Sequence, residues 1–358
     1  MDNIRGTALF CGLDYSVEEM ERHLLQAHEA GINAVFTSLQ LPEADKQKCL
    51  RDFPKMAEIA HKYGMKVEAD LGPRTANMFG IGMMDFKALS QIGVDIMRLD
   101  GGYTQDQTVE ATHNKEGLLV SLNAASVTNQ SMERLIGSGI CRENAVFCHN
   151  YHPMMYTGLK PQKAKENNDL IHSYGFTVSG FLASQHHKRI GCSLGLPTVE
   201  QMRYTPVDVA VRQAMILGFD GLYFGDDFAS LEEMKVLVGT KPGAVTFRLV
   251  PEVKGDVIDW LIGRELKQIQ YGLDEIVRSN FLDKESIYAG GFEDSLVRPR
   301  KKGDVCMCKA ALLRYAGEVQ ICRTDLPADE NIGVIGHIAT EDLPLLDTFI
   351  YKGNFKFV

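Results

Sequence analysis

The sequence predicts an α/β protein, a (β/α)8 TIM barrel followed by a small β-rich domain, and three observations carry that prediction. Through residue 240, short apolar runs alternate with longer stretches of helical periodicity, the rhythm of repeated βα units feeding a parallel sheet. Gly31, Gly64, Gly93, Gly139, Gly175 and Gly218 each fall a few residues before such a run, where a helix ends in a left-handed cap. After Gly239 the rhythm breaks at Thr240–Lys241–Pro242–Gly243, which sets the expected division into 1–240, the catalytic barrel, and 241–358, the β-rich part.

The barrel strands are expected at Ala8–Leu13, Ala34–Ser38, Met65–Ala69, Ile96–Leu99, Leu118–Leu122, Ala145–Cys148, Thr177–Phe181 and Leu222–Phe224. Helix starts agree: Ser16 with Glu19 and Ser230 with Glu233 have capping-box spacing. A doubly wound open sheet would carry a glycine-rich phosphate turn after its first strand, and Gly12–Leu13–Asp14–Tyr15–Ser16 is not one. Further strands are expected at Ala244–Val250, Val305–Met307, Gly317–Ile321 and Val334–His337, with a helix from Asp256–Trp260 onward.

Composition narrows the function. The chain has 358 residues, 45% hydrophobic and 24% charged, the balance of a globular protein. Its formal net charge of -9 disfavours nucleic acid and anionic lipid as partners, and no apolar run is long enough to span a bilayer. The first residues enter a strand-like run and lack the pattern of a signal peptide, so a cytoplasmic protein is expected. The eight cysteines are scattered and read as structural thiols. Cys306 and Cys308 lack the second pair that a zinc site needs, so no metal is expected.

Barrel enzymes carry reacting groups at the carboxyl ends of their strands. Those ends supply Glu68 and Asp70, Asp100, Asn123, His149, Asn150 and Tyr151, Ser184 and Gln185, and Asp226 and Asp227. Glycoside hydrolysis needs one carboxyl group to protonate the leaving oxygen and a second to attack or to activate water, and Asp70, Asp100 and Asp226 are the candidates. Such aspartates also cap helices or bond nearby backbone amides. His149 and His152 suit sugar hydroxyls better than a metal. His186, His187, Lys188 and Arg189 follow strand 7, where many barrels hold a phosphate, although a solvated loop has the same composition. No lysine stands at a predicted strand end, and no GxSxG, HExxH or Walker sequence is present. A barrel isomerase or lyase acting on a phosphorylated sugar, or a non-catalytic phospho-sugar binder, would use the same mouth.

The stretches Val35–Leu39, Arg98–Leu99–Asp100, Leu122–Asn123–Ala124, His149–Asn150–Tyr151, Tyr156–Leu159, Lys188–Arg189, Gly195–Thr198 and Tyr223–Asp226 occur in this order, followed by Val277–Ser279, Arg314–Glu318, Asp325–Asp329 and Val334–Gly336. Together they resemble the MupG-type 6-phospho-N-acetylmuramidases, barrel proteins with a cyclophilin-like C-terminal domain, and the likeness runs almost end to end. The resemblance implies hydrolysis, inside a bacterial cell and without a cofactor, of the bond between 6-phospho-N-acetylmuramic acid and N-acetylglucosamine in peptidoglycan recycling. It places Asp100, Asn123, His149, Asn150, Tyr151, Lys188, Arg189 and Asp226 in the site, with Asp70 at a matching acidic position. Arg278 and Arg298 are the C-terminal residues expected to reach toward it, Arg278 as a substrate ligand. That C-terminal part has two expected uses, covering the mouth or making a homodimer contact. The chain departs from the family pattern at Gly72, at Met154 and Met155 where a proline–arginine pair is usual, and near Lys309. These changes bear on which phosphate or carboxylate is recognised.

Overall fold

The computed structural model describes residues 3–82, 84–99, 101–189, 191–269, 273–280, 295–348 and 353–358. The chain divides into two compact units, Met1–Thr240 and Lys241–Val358. In the first, eight parallel strands close in sequence order into a barrel. They are β1 (Arg5–Ala8), β2 (Ala34–Ser38), β3 (Lys66–Leu71), β4 (Ile96–Leu99), β5 (Leu119–Asn123), β6 (Ala145–Cys148), β7 (Val178–Leu182) and β8 (Gly221–Asp227). The helices between and after them are α1 (Val17–Ala30), α2 (Lys46–Lys62), α3 (Pro73–Met78), α4 (Phe86–Gln91), α5 (Gln105–Thr112), α6 (Asn129–Gly137), α7 (Pro161–Ser173), α8 (Val207–Ile216) and α9 (Leu231–Gly239).

Local chemistry accounts for these boundaries. Ser16 and Glu19 form the reciprocal capping box that starts α1, and Gly31 ends it at φ 87°. Ser230 and Glu233 start α9 in the same way. The first strand lies earlier than its apolar run suggests. Arg5–Ala8 pairs with β2 and β8, whereas Leu9–Leu13 is a buried loop. The reason is at Phe10: its N–H donates to the Tyr15 hydroxyl and its carbonyl accepts from the same hydroxyl, each at 2.6 Å, so a side chain takes the place of a neighbouring strand. At the other end of the barrel's sequence, β8 runs on to Asp227 across an irregular register with β1.

Aromatic rings fill the barrel. Phe36 meets Phe181 edge-on at 4.9 Å, and Phe181 stacks on Tyr223 at 5.7 Å. The Tyr223 hydroxyl donates to Glu68 Oε2 at 2.7 Å, which places one carboxylate inside the apolar layer. Burial raises the Glu68 pKa, against the opposing pull of Arg98 and of this hydroxyl.

The second unit is a mostly antiparallel sheet. Its described strands are β9 (Val245–Phe247), β10 (Leu249–Pro251), β11 (Leu266–Ile269), β12 (Ile276–Asn280), β13 (Asp304–Cys308), β14 (Val319–Cys322), β15 (Ile332–Ile338) and β16 (Asn354–Phe357), with helices α10 (Asp256–Leu261) and α11 (Leu343–Thr348). The spatial order is β10-β15-β13-β14-β12-β11-β16-β9. The single strand expected at Ala244–Val250 is two strands on opposite edges of the sheet. Arg248 stands at the break, its backbone N–H donating to Asp342 Oδ2 at 2.7 Å and its guanidinium to Oδ1 at 2.6 Å. Cys306 and Cys322 are buried free thiols with their sulfurs 3.8 Å apart. Among the described residues no helix is long and apolar enough to cross a membrane.

One glycine fixes how closely the β7–α8 loop approaches β8. A Cβ at Gly225 would lie 2.2 Å from the Leu196 carbonyl oxygen, whereas one at Gly239 would meet nothing within 4 Å. Gly225→Ala should therefore lose about 1–3 kcal/mol of unfolding free energy in urea titrations. Gly239→Ala should lose none.

Candidate active site

At the carboxyl end of the barrel, Asp226 is fully buried and organises the loop after β7. Its Oδ2 accepts from the backbone N–H of Ser184 at 3.1 Å and of Leu196 at 3.2 Å, and its Oδ1 from that of Arg189 at 3.1 Å. Burial raises its pKa, opposed by these amides and by Lys188. Glu233, whose place in a capping box is legible in the sequence, also reaches this loop. Its Oε1 accepts from the Gln185 N–H at 2.6 Å and its Oε2 from Ser184 Oγ at 2.9 Å. Ser184 and Gln185 are thus held by carboxylates from β8 and α9.

The two cations of this loop differ. Lys188 is half-buried, and its Nζ donates to the Ser184 carbonyl. Burial lowers its pKa, with Asp226 and Glu233 acting in the opposite direction. Arg189 is buried and engaged. Its guanidinium donates to Tyr151 Oη at 3.3 Å and Glu43 Oε1 at 3.1 Å, and lies over the Phe10 ring at 5.0 Å from the centroid. His187 Nδ1 lies 2.9 Å from Oδ1 of the buried Asp227.

Across the barrel, Asp70 on β3 accepts from Ser38 Oγ at 3.0 Å and from Gln40 Nε2 at 2.5 Å. Tyr103 is near enough that burial, with Asp70 adding to it, pushes its hydroxyl up to about 12. Tyr151 stands between these groups, its ring edge-on to Phe181 at 5.3 Å. Asn123 and Asn150 meet at the ends of β5 and β6, Asn123 Nδ2 donating to Asn150 Oδ1 at 3.4 Å. Beside them a cleft of about 280 Å³ is lined by Leu99, Tyr103, Asn123, Met132 and Phe147, among others.

One expected residue turns away from the mouth. His149 is fully buried with Nε2 2.8 Å from Asn168 Oδ1 on α7 and its ring against Phe219, so it packs the strand–helix interface rather than opening to the mouth. Its strand-end position gave no sign of which way the ring faces. Arg278 is in the second unit in a bidentate pair with Glu318, both bonds 2.7 Å, and Arg298 there bonds Glu252 and Asp304. Asp100 lies outside the described residues. Two arginines were missed as structural centres. Arg98 joins Asn150 to the barrel interior. Arg203, 1% exposed, donates to the carbonyls of His152 at 2.9 Å, Met154 at 3.0 Å and Gly195 at 2.7 Å while its guanidinium pairs with Glu200. A buried arginine leaves no signature in hydropathy, because its sequence neighbourhood reads as loop.

Residues 5–238 match the family model described as the N-terminal part of 6-phospho-N-acetylmuramidase, and residues 275–358 match its C-terminal part. The chain belongs to the 6-phospho-N-acetylmuramidase family. The family's name is that of a glycoside hydrolase. Two solved structures share the fold: one described as an uncharacterized B. cereus protein, at 22% identity and TM-score 0.81 over 100% of both chains, and one as a conserved Enterococcus faecalis protein of unknown function, at 22% identity and TM-score 0.65 over 99% of this chain and 96% of that one. No curated protein matches the chain.

His149 gives the folding stability a pH signature. Burial lowers its pKa from 6.5 to about 4. The folded value lies below the unfolded one, so as pH falls the unfolded chain takes up the proton first and the stability held by the neutral ring is lost between about pH 6.5 and 4. In denaturant titrations the stability advantage of wild type over His149→Asn should shrink as pH falls through that window. An advantage independent of pH would contradict the burial of a neutral ring.

Proposed function

We propose that this protein is a cytoplasmic glycoside hydrolase that cleaves a 6-phosphorylated amino-sugar disaccharide of the 6-phospho-N-acetylmuramic acid–N-acetylglucosamine type, in peptidoglycan recycling and without a cofactor. The observation that carries this reading is the family match in both units of the chain. Support also comes from the barrel end, where Asp70 stands on β3 and the partly buried Lys188 follows β7.

Cleavage needs one carboxyl group to protonate the glycosidic oxygen as the bond breaks and another to attack the anomeric carbon or to deprotonate water. Asp70 and Asp100 are the pair we assign to these roles. Asp226 has no exposed surface and both its oxygens are occupied by backbone amides, so its part is to hold the loop rather than to touch the sugar. Lys188, which among the described residues bonds the Ser184 carbonyl of its own loop, is the group we assign to the 6-phosphate. Asn123, Asn150 and Tyr151 line the sugar. The occupied state of Asp226 also fits a protein that binds the phospho-sugar without turning it over, and turnover decides between the two.

The purified protein should hydrolyse the phosphorylated disaccharide and leave the unphosphorylated one nearly untouched. Equal turnover of both would remove the phosphate from the proposal. Asp70→Asn should lower kcat by about 10²–10⁴-fold with KM little changed. Lys188→Met should raise KM for the phosphorylated substrate by about ten- to a hundredfold, the value of one charge-assisted hydrogen bond.

A further inference from the structure

Asn150 has an amide whose orientation is decided by its neighbours. Arg98 on β4 is 4% exposed, and its Nη2 donates to Asn150 Oδ1 at 2.5 Å while Nη1 donates to the His149 carbonyl at 3.0 Å. Asn123 Nδ2 donates to the same Oδ1. Asn123 cannot turn over, because its own Oδ1 accepts from the Ala125 N–H at 2.8 Å. A guanidinium has donors and no acceptor, so the atom of Asn150 facing Arg98 must be the oxygen. Thr198 Oγ1 fixes the Asn150 main chain by donating to its carbonyl at 3.0 Å. Both hydrogen bonds to the Asn150 side chain fall on Oδ1, so among the described residues the amide nitrogen, Nδ2, has no partner, on a half-buried side chain at the carboxyl end of β6.

We propose that Arg98 is a positioning residue that, with Asn123, locks the Asn150 carboxamide with its oxygen against the barrel wall and its Nδ2 free, so that the site reads a hydrogen-bond acceptor oxygen on the bound sugar at this point. A cation on Oδ1 also polarises the amide and strengthens Nδ2 as a donor. The inference rests on the phospho-sugar reading given above and adds to it a specificity element: a substrate presenting an ammonium or other donor-only group here leaves Nδ2 facing another donor and is rejected. Arg98 touches no substrate. Its effect passes through Asn150.

The test is a double-mutant cycle on the full chain with the phosphorylated disaccharide. Asn150→Asp keeps the shape and the bond to Arg98 but replaces the free donor by an acceptor, and should lower kcat/KM at least tenfold at unchanged thermal midpoint. Arg98→Lys keeps the charge and loses the fork, and should lower kcat/KM to a similar extent. Because Arg98 acts through Asn150, the double variant should be no worse than Asn150→Asp alone. Wild-type kcat/KM in Asn150→Asp, or losses that multiply in the double variant, would overturn the proposal while leaving the hydrolase reading in place. If the wild type binds the disaccharide but does not cleave it, the hydrolase reading fails and the same cycle is read in calorimetric Kd. Absence of binding sinks both.

Discussion

The carboxylate of Asp226 is the interaction on which the candidate site depends. The loop after β7 reaches almost to residue 200 with little regular structure, so its backbone amides have no ladder or helix to satisfy them. Three of them, from Ser184, Arg189 and Leu196, converge on this one side chain. Hydrogen bonds to a charged acceptor contribute about 1.5–3 kcal/mol each, which offsets the cost of keeping a carboxylate out of water. The close approach that makes this geometry attainable is set one residue earlier, where Gly225 lets the Leu196 carbonyl lie against the strand. Lys188 takes its place beside the carboxylate as a result, because its neighbours on both sides of the loop are fixed.

A second buried polar chain runs through the barrel itself. Tyr223 on β8 donates to Glu68 on β3, Arg98 on β4 counters the charge of Glu68, and Arg98 in turn bonds Asn150 on β6. Tyr223 itself packs against Phe36 and Phe181, so the chain of bonds begins within the aromatic layer. Buried polar groups are costly when unsatisfied, and here their bonding links the side chains that fill the barrel to Asn150 at the carboxyl end of β6. The chemistry at the mouth is therefore not separable from the packing below it.

Much of the barrel was legible because its signals are local. Ala34–Ser38, Ile96–Leu99 and Ala145–Cys148 are apolar runs with polar residues at both ends, and the strands found there have those bounds. The first strand was displaced because Leu9–Leu13 is as apolar as any strand, while the Tyr15 hydroxyl, five residues on, occupies both backbone groups of Phe10 in place of a strand partner. In the site, position along the chain was readable and direction was not. His149 and Asn150 are neighbours in sequence, yet one packs against α7 and the other against Arg98. Arg203 was invisible for a related reason: only Glu200, three residues before it, is a local partner, while the carbonyls it bonds, those of His152, Met154 and Gly195, come from separate places in the chain that no spacing rule joins.

Arg203 also makes two loops into one mechanical piece. The turn after β6 carries Met154 and Tyr156, both exposed, and the segment ending the β7 loop carries Leu194 and Gly195. A single guanidinium, clamped by Glu200, grips the carbonyls of both. Neither segment can shift by an ångström without dragging or breaking the other's bonds, so the barrel rim on this side behaves as a rigid hoop. Whatever displaces one of these segments has to carry the other with it.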